Sequence, residues 1–313
     1  MNEDCNDEQL LKYWNEVCQN VKDISFVQNI EWFNAYLKSD LESSFYFCFV
    51  VFLRDENPVA VVPLQYRITS RFGLSLKTWW ILSPRELCLN DLVFGPTEAD
   101  QNIIAHLRKY LNSRQNLPWD LLELKHCRQG GSVDMAISQN RPFRSVTILD
   151  RYSEYLICKS ELDNSVVKLS SKFRRNIRRL WKKLREKGEL TIHLYKDPGQ
   201  LGEAFGEFLE VESSGWKGDS KTSLKHDKSL RSFYQSMVET FGKNGSCVIH
   251  TMKLDGRPIA SQFVVISGDS YNMLKIGYDE EFKSMGPGAL LLDETVRIFS
   301  NENTINSISP VKL

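Results

Sequence analysis

Hydrophobic and polar positions divide this chain into short alternating elements. Apolar residues spaced three and four apart predict helices over Glu8–Val21, Ile30–Lys38 and Asn102–Asn112. Two apolar, β-rich runs, Phe45–Leu53 and Pro58–Ile68, flank the turn residues Asp55, Glu56 and Asn57 and predict a hairpin. Further strands are expected at Lys77–Leu82, Trp119–Leu124 and Ser145–Leu149, with a short helix at Ser132–Ser138 between the last two. Periodicity fades over Arg151–Asp163, which sets the expected domain junction.

The second half reads more clearly. Lys168–Gly188 places Leu169, Phe173, Ile177, Leu180, Trp181 and Leu184 in an arc of roughly 120°. The remaining arc is almost wholly basic, because the segment holds ten Lys/Arg and one Glu. Ser170 or Ser171 supplies the N-cap and Gly188 the stop. A strand at Leu190–Tyr195 and helices at Pro198–Glu212 and Lys228–Phe241 follow. Ser246–Leu254 and Ile259–Ser267 flank Asp255-Gly256, a strong hairpin signal, and Ser270–Tyr278 extends the meander. Gly286-Pro287-Gly288 leads into a helix of about a dozen residues. Both halves share a helix–meander–helix order, but no sequence repeat is evident.

Composition limits the class without choosing it. The chain has 313 residues, 42% hydrophobic and 26% charged, which is globular usage and enough for about two domains. No apolar run reaches the roughly 18–20 residues that span a bilayer. The acidic start, MNEDCNDEQ, lacks the order of a signal peptide, so a cytoplasmic location is expected. Seven cysteines without a CxxC pair argue against a disulfide framework or zinc site, and the scattered histidines lack ligand spacing, so no metal is expected. Net charge is zero, yet residues 1–150 hold 15 basic and 19 acidic groups against 25 and 21 in residues 151–313.

Three segments carry a family resemblance. Leu169–Arg179 is similar to an LS-x-K-x-R-x-x-x-R-R helix. Glu212–Gly218 matches an E…WK segment. Leu254–Gln262, Tyr278–Phe282 and Met285–Gly288 match a hairpin followed by a Y-D…PG turn. In this order they resemble the GNAT acetyltransferases, specifically the subfamily associated with polysaccharide and cellulose synthesis, and are related to the Fem-type aminoacyltransferases. The resemblance implies an α/β fold of two tandem GNAT-like domains with mixed central sheets. Residues 1–150 would form a degenerate domain and residues 151–313 the acyltransferase domain. Relatives usually continue past the turn helix, whereas here only Thr304–Ser309 offers a further strand, which leaves a naturally short chain, a fragment and a frameshifted product as the readings.

The implied cosubstrate is acetyl-CoA or another acyl-CoA. Lys283-x-x-Gly286-x-Gly288 departs from the family's Q/R-x-x-G-x-G/A loop at Lys283 but keeps its glycines. A glycine turn and a helix N-terminus together suit a pyrophosphate. The expected donors are the amides of Gly286, Gly288, Ala289 and Leu290, with Lys283 adding charge; a plain helix-starting turn is the alternative. Glu212, Tyr278 and Asp279 are the acid–base candidates. Trp216, Lys217 and, on the cationic helix, Arg175 are the substrate candidates, set against packing and solvated-surface roles. The acceptor class implied is a small or carrier-linked anionic sugar or amino-sugar precursor of a cell-surface polymer. Nucleic acid is the least supported partner, and peripheral membrane contact stays open. Fem-like transfer from aminoacyl-tRNA, or a non-catalytic binding protein on the same fold, are the other readings.

Overall fold

The structure is a computed structural model and describes residues 8–19, 25–39, 46–71, 73–81, 93–94, 103–124, 127, 133–134, 157–158, 170–214, 223–268, 270–301 and 307–310. The chain divides into two compact units, residues 1–34 with 42–152, and residues 35–41 with 153–313.

In the first unit, helix α1 (Glu8–Gln19) buries Trp14 and Val17. The Trp14 ring meets Phe33 at 5.0 Å and Phe49 at 5.6 Å, and its indole N–H donates to the Gln28 carbonyl at 2.9 Å. Helix α2 spans Ile30–Lys38. Strands β1 (Tyr46–Arg54), β2 (Asn57–Arg71) and β3 (Leu74–Ile81) form an antiparallel meander. The short β4 (Val93–Phe94) pairs with β2. Helix α3 (Ile103–Ser113) then leads to β5 (Leu121–Glu123), which lies parallel to β3. The core gathers Val62, Leu64, Trp79, Ile104 and Leu107. Of the helix expected at Ser132–Ser138, only Val133 and Asp134 are described, and they are helical. The strand expected at Ser145–Leu149 lies outside the described residues.

The second unit has a six-stranded mixed sheet. Its elements are β6 (Ile157–Cys158), α4 (Ser171–Arg185), β7 (Leu190–Tyr195), α5 (Pro198–Ser213), α6 (Lys228–Gly242), β8 (Cys247–Leu254), β9 (Arg257–Ser267), β10 (Ser270–Tyr278), α7 (Pro287–Asn301) and β11 (Ser307–Pro310). The strand order is β6-β11-β10-β9-β8-β7, antiparallel throughout except for β10 with β11. One sheet face packs Met252, Leu254 and Ala260 under α4 and α7 through Leu180, Leu184, Leu290 and Leu291. The other packs Phe263 among Phe205, Phe208 and Tyr234 of α5 and α6.

Local signals explain the helix starts. Ser170 caps α4 by accepting from Phe173 N–H at 3.1 Å, Asp197 caps α5 ahead of Pro198, and Asp227 caps α6. The expected stop at Gly188 is displaced, since the C-cap of α4 is Glu186. Gly188 instead allows close approach: a Cβ there would lie 2.1 Å from Asp255 Oδ2. The same carboxylate accepts Glu189 N–H at 2.7 Å. This clasp ties the exit of α4 to the β8–β9 turn, where Asp255 and Gly256 both have positive φ. The α/β class with mixed sheets, expected from the sequence, is observed.

Candidate active site

A break in strand pairing defines the site. Strand β10 pairs with β11 only from Ser270 to Met273. Its register against β9 then shifts between Met273 and Lys275, so Leu274 is a bulge. From Lys275 to Tyr278, β10 keeps β9 on one side and has no ladder partner on the other among the described residues. An open strand edge presents backbone donors and acceptors to an extended ligand.

The amino end of α7 sits over one face of this open half. A Cβ at Gly288 would lie 3.2 Å from Tyr278 Cδ1 and 3.5 Å from Ile276 Cδ1. Gly288 therefore presses its Cα onto β10, where the sequence suggested that it faces a ligand. Gly286 holds the left-handed conformation, φ 59° and ψ 46°, that ends the 3-10 turn Glu280–Met285. The four expected amide donors are also reduced. Gly286 N–H donates to the Lys283 carbonyl at 3.0 Å, and Leu290 N–H to the Gly286 carbonyl at 3.1 Å. Pro287 has no N–H, so the first-turn amides of Gly288 and Ala289 remain to meet an anion. Lys283 is exposed, and its Nζ sits 3.1 Å from Glu280, whose hydrogen bond raises the ammonium pKa.

The opposite face of the same half-strand meets the end of α5. A Cβ at Gly277 would stand 2.8 Å from the Glu212 Cα, so only glycine permits this approach. The Glu212 carboxylate, 2% exposed, accepts Leu224 N–H at 2.8 Å through Oε2. Its Oε1 lies 3.8 Å from Lys275 Nζ and makes no hydrogen bond among the described residues. Lys275 also stands over the Tyr234 ring at 5.5 Å. Sequence reasoning found Glu212 and missed Lys275, although its place two residues before Gly277 on the meander put it on the face toward α5.

The remaining candidates separate. Tyr278 is half-buried against Gly288. Asp279 is buried, caps the 3-10 turn by accepting Glu281 N–H at 3.0 Å, and pairs with Arg257, which also reaches Glu281 at 3.0 Å. Both Asp279 oxygens are thus engaged in holding the turn. Arg175 is exposed on α4, away from the buried stripe. Trp216 and Lys217 lie outside the described residues. No metal-ligating cluster occurs among the described residues.

A buried polar network under α7 escaped sequence reasoning. His250 on β8 contacts the Tyr271 hydroxyl, and Thr295 of α7 lies 3.4 Å from its Nδ1. Thr295 in turn donates to Gln262 Oε1 at 2.7 Å. Burial, and then Lys196, push the imidazole pKa down to about 3, so His250 is neutral in the folded protein. Isolated in sequence, it gave no signal.

Residues 171–303 match the family model described as acetyltransferase (GNAT) domain. No curated protein matches the chain. Among solved structures, the fold resembles FemX with a TM-score of 0.58 at 10% identity, covering 100% of this chain and 88% of that one. The C-terminal domain of a putative lysylphosphatidylglycerol synthetase from Agrobacterium fabrum gives 0.55 at 10% identity, covering 96% and 77%. L-PGS from Bacillus licheniformis gives 0.51 at 13% identity, covering 100% and 81%. The match over residues 171–303 supports a transferase activity.

Proposed function

We propose that this protein transfers an acyl group from acetyl-CoA, or another acyl-CoA, to an amine or hydroxyl of a sugar or amino-sugar precursor of a cell-surface polymer. The observation that supports it best is the open half of β10 flanked by the α7 amides on one face and Glu212 on the other. Acyl-CoA supplies an activated thioester when bound. The residues fit such a group. The Gly288 and Ala289 amides and the helix dipole favour a pyrophosphate, and the strand edge offers partners for amide groups. Lys283 adds positive charge beside the turn.

Glu212 is the candidate base. It accepts the acceptor's proton at Oε1, while Leu224 N–H and Lys275 hold the carboxylate in place. Tyr278 is the candidate donor of a proton to the leaving sulfur. Asp279 fixes the turn that carries Lys283 and Gly286. Arg175, Trp216 and Lys217 remain proposed contacts for an anionic acceptor. The sugar class rests on the motif resemblance at Leu169–Arg179 and Glu212–Gly218.

Isothermal titration with acetyl-CoA tests this reading. Saturable binding is expected, and Ala289→Pro should weaken it about tenfold by deleting one amide donor where a helix tolerates proline. No heat across millimolar concentrations would overturn it. The fold shared with FemX gives comparable support to Fem-like transfer from aminoacyl-tRNA. That reading requires tRNA binding with a steep salt dependence, and a flat, weak gel shift removes it.

A further inference from the structure

Helix α4 carries more uncompensated charge than its fold requires. Lys172, Arg174, Arg175, Arg178, Arg179 and Lys182 are all exposed. Only Lys182 has an acidic partner among the described salt bridges, Glu186 at 3.9 Å. Arg179 bonds the neutral Asn176 at 2.9 Å. The first turn holds no acid and has Lys172, Arg174 and Arg175 in or beside it. Helix amino ends favour negative charge, so these cations oppose the dipole and cost stability. A face kept merely soluble would place acids there. The conflict points to an external anion.

We propose that this face docks the protein on a membrane surface rich in anionic phospholipid, a role beyond the acyl-transfer site. Fifteen residues at 1.5 Å each make a row about 22 Å long. Clusters of four to eight Lys/Arg on a surface helix are sufficient for attraction to an anionic leaflet. Ile177, Leu180, Trp181 and Leu184 fasten the helix to its own core, so the cationic side is presented as a rigid strip. Phe173 continues that apolar stripe to the amino end, where it is 46% exposed between Lys172 and Arg174. An RNA partner fits less well. Residues 151–313 hold 25 basic against 21 acidic groups, a small excess, whereas a nucleic-acid-binding domain is usually strongly basic. The centre of the strip also carries no aromatic ring on which bases could stack.

Cosedimentation of the full chain with phosphatidylcholine vesicles, with and without phosphatidylglycerol, tests the proposal. Binding is expected only to the anionic vesicles and should fade as salt rises. Reversing Arg174→Glu, Arg178→Glu and Lys182→Glu together should lower the partition coefficient roughly a hundredfold. The same number of reversals at Lys225→Glu, Lys228→Glu and Lys243→Glu, exposed elsewhere in the unit, should change it only a few-fold. If the α4 reversals lose the melting transition, the Arg174→Gln, Arg178→Gln and Lys182→Gln set replaces them. Equal pelleting with neutral vesicles, equal loss from both sets, or tighter binding of a mixed-sequence RNA duplex at the same salt would overturn it.

Discussion

Two hairpins, 200 positions apart, are built on one plan. In β1–β2 the turn is Asp55-Glu56, both at positive φ, followed by Pro58 and Ala60. In β8–β9 it is Asp255-Gly256, also at positive φ, followed by Pro258 and Ala260. A register shift occurs at the same place in each, between Phe52 and Leu53 and between Met252 and Lys253. The third strands then diverge. Thr78 to Trp80, near the end of β3, are closed by the parallel β5, and Trp80 donates to Gln65. Arg71 and Glu123 pair beside them. The corresponding end of β10 has no such neighbour among the described residues. The scaffold is shared, but among the described residues the carboxyl-terminal half of the third strand is open only in the second unit, which supports the proposed location of the chemistry.

The comparison is broken most severely at the open strand. Glu212→Gln should lower acyl transfer a hundredfold or more, worth about 3 kcal/mol of barrier, while far-UV circular dichroism stays unchanged. Retained turnover would remove Glu212 as the base. Gly277→Val forces a branched side chain onto the α5 backbone and should cost about 1–3 kcal/mol in urea unfolding. His250 supplies a pH test. The unfolded chain gains a proton below about pH 6.5 that the folded protein refuses until about pH 3, so stability falls as pH drops through that window. The loss is up to about 1.4 kcal/mol per pH unit, and His250→Gln should shrink the decline in melting temperature between pH 7 and pH 4. The smallest effect compares the turns. Glu56→Gly should stabilise by about 0.5–1 kcal/mol, because glycine suits φ 67°. Gly256→Glu should cost a similar amount, and a destabilised Glu56→Gly or a stabilised Gly256→Glu in thermal melts would deny the shared plan.

Much of the second unit could be read from its residues. Asp255-Gly256, the caps at Ser170, Asp197 and Asp227, and the apolar stripe of α4 are local signals, and each acts where it stands. The repeat was hidden because Glu56 occupies a position where glycine is expected, so the two turns look unlike in sequence. The site divides in the same way. Gly286 and Pro287 announced a turn and a helix start, which are local facts. That Gly288 packs on Tyr278, that Glu212 meets Lys275, and that Asp279 is held by Arg257 depend on segments brought together from 10 to 63 positions apart. Local patterning carries no record of such pairings.

The pairing of β11 has a consequence for how the protein is made. This strand, Ser307–Pro310, joins β10 to β6, and β6 lies near residue 157. During synthesis from the amino end, Ile157 and Cys158 emerge roughly 150 residues before their partner. The β7–β10 meander and the helices on it can assemble early, since their contacts are close in sequence. The sheet edge beyond β10 can close only after Ser307–Pro310 has been made. Until then the half of β10 that β11 later covers lies bare as well, so a nascent chain exposes a longer strand edge than the finished protein.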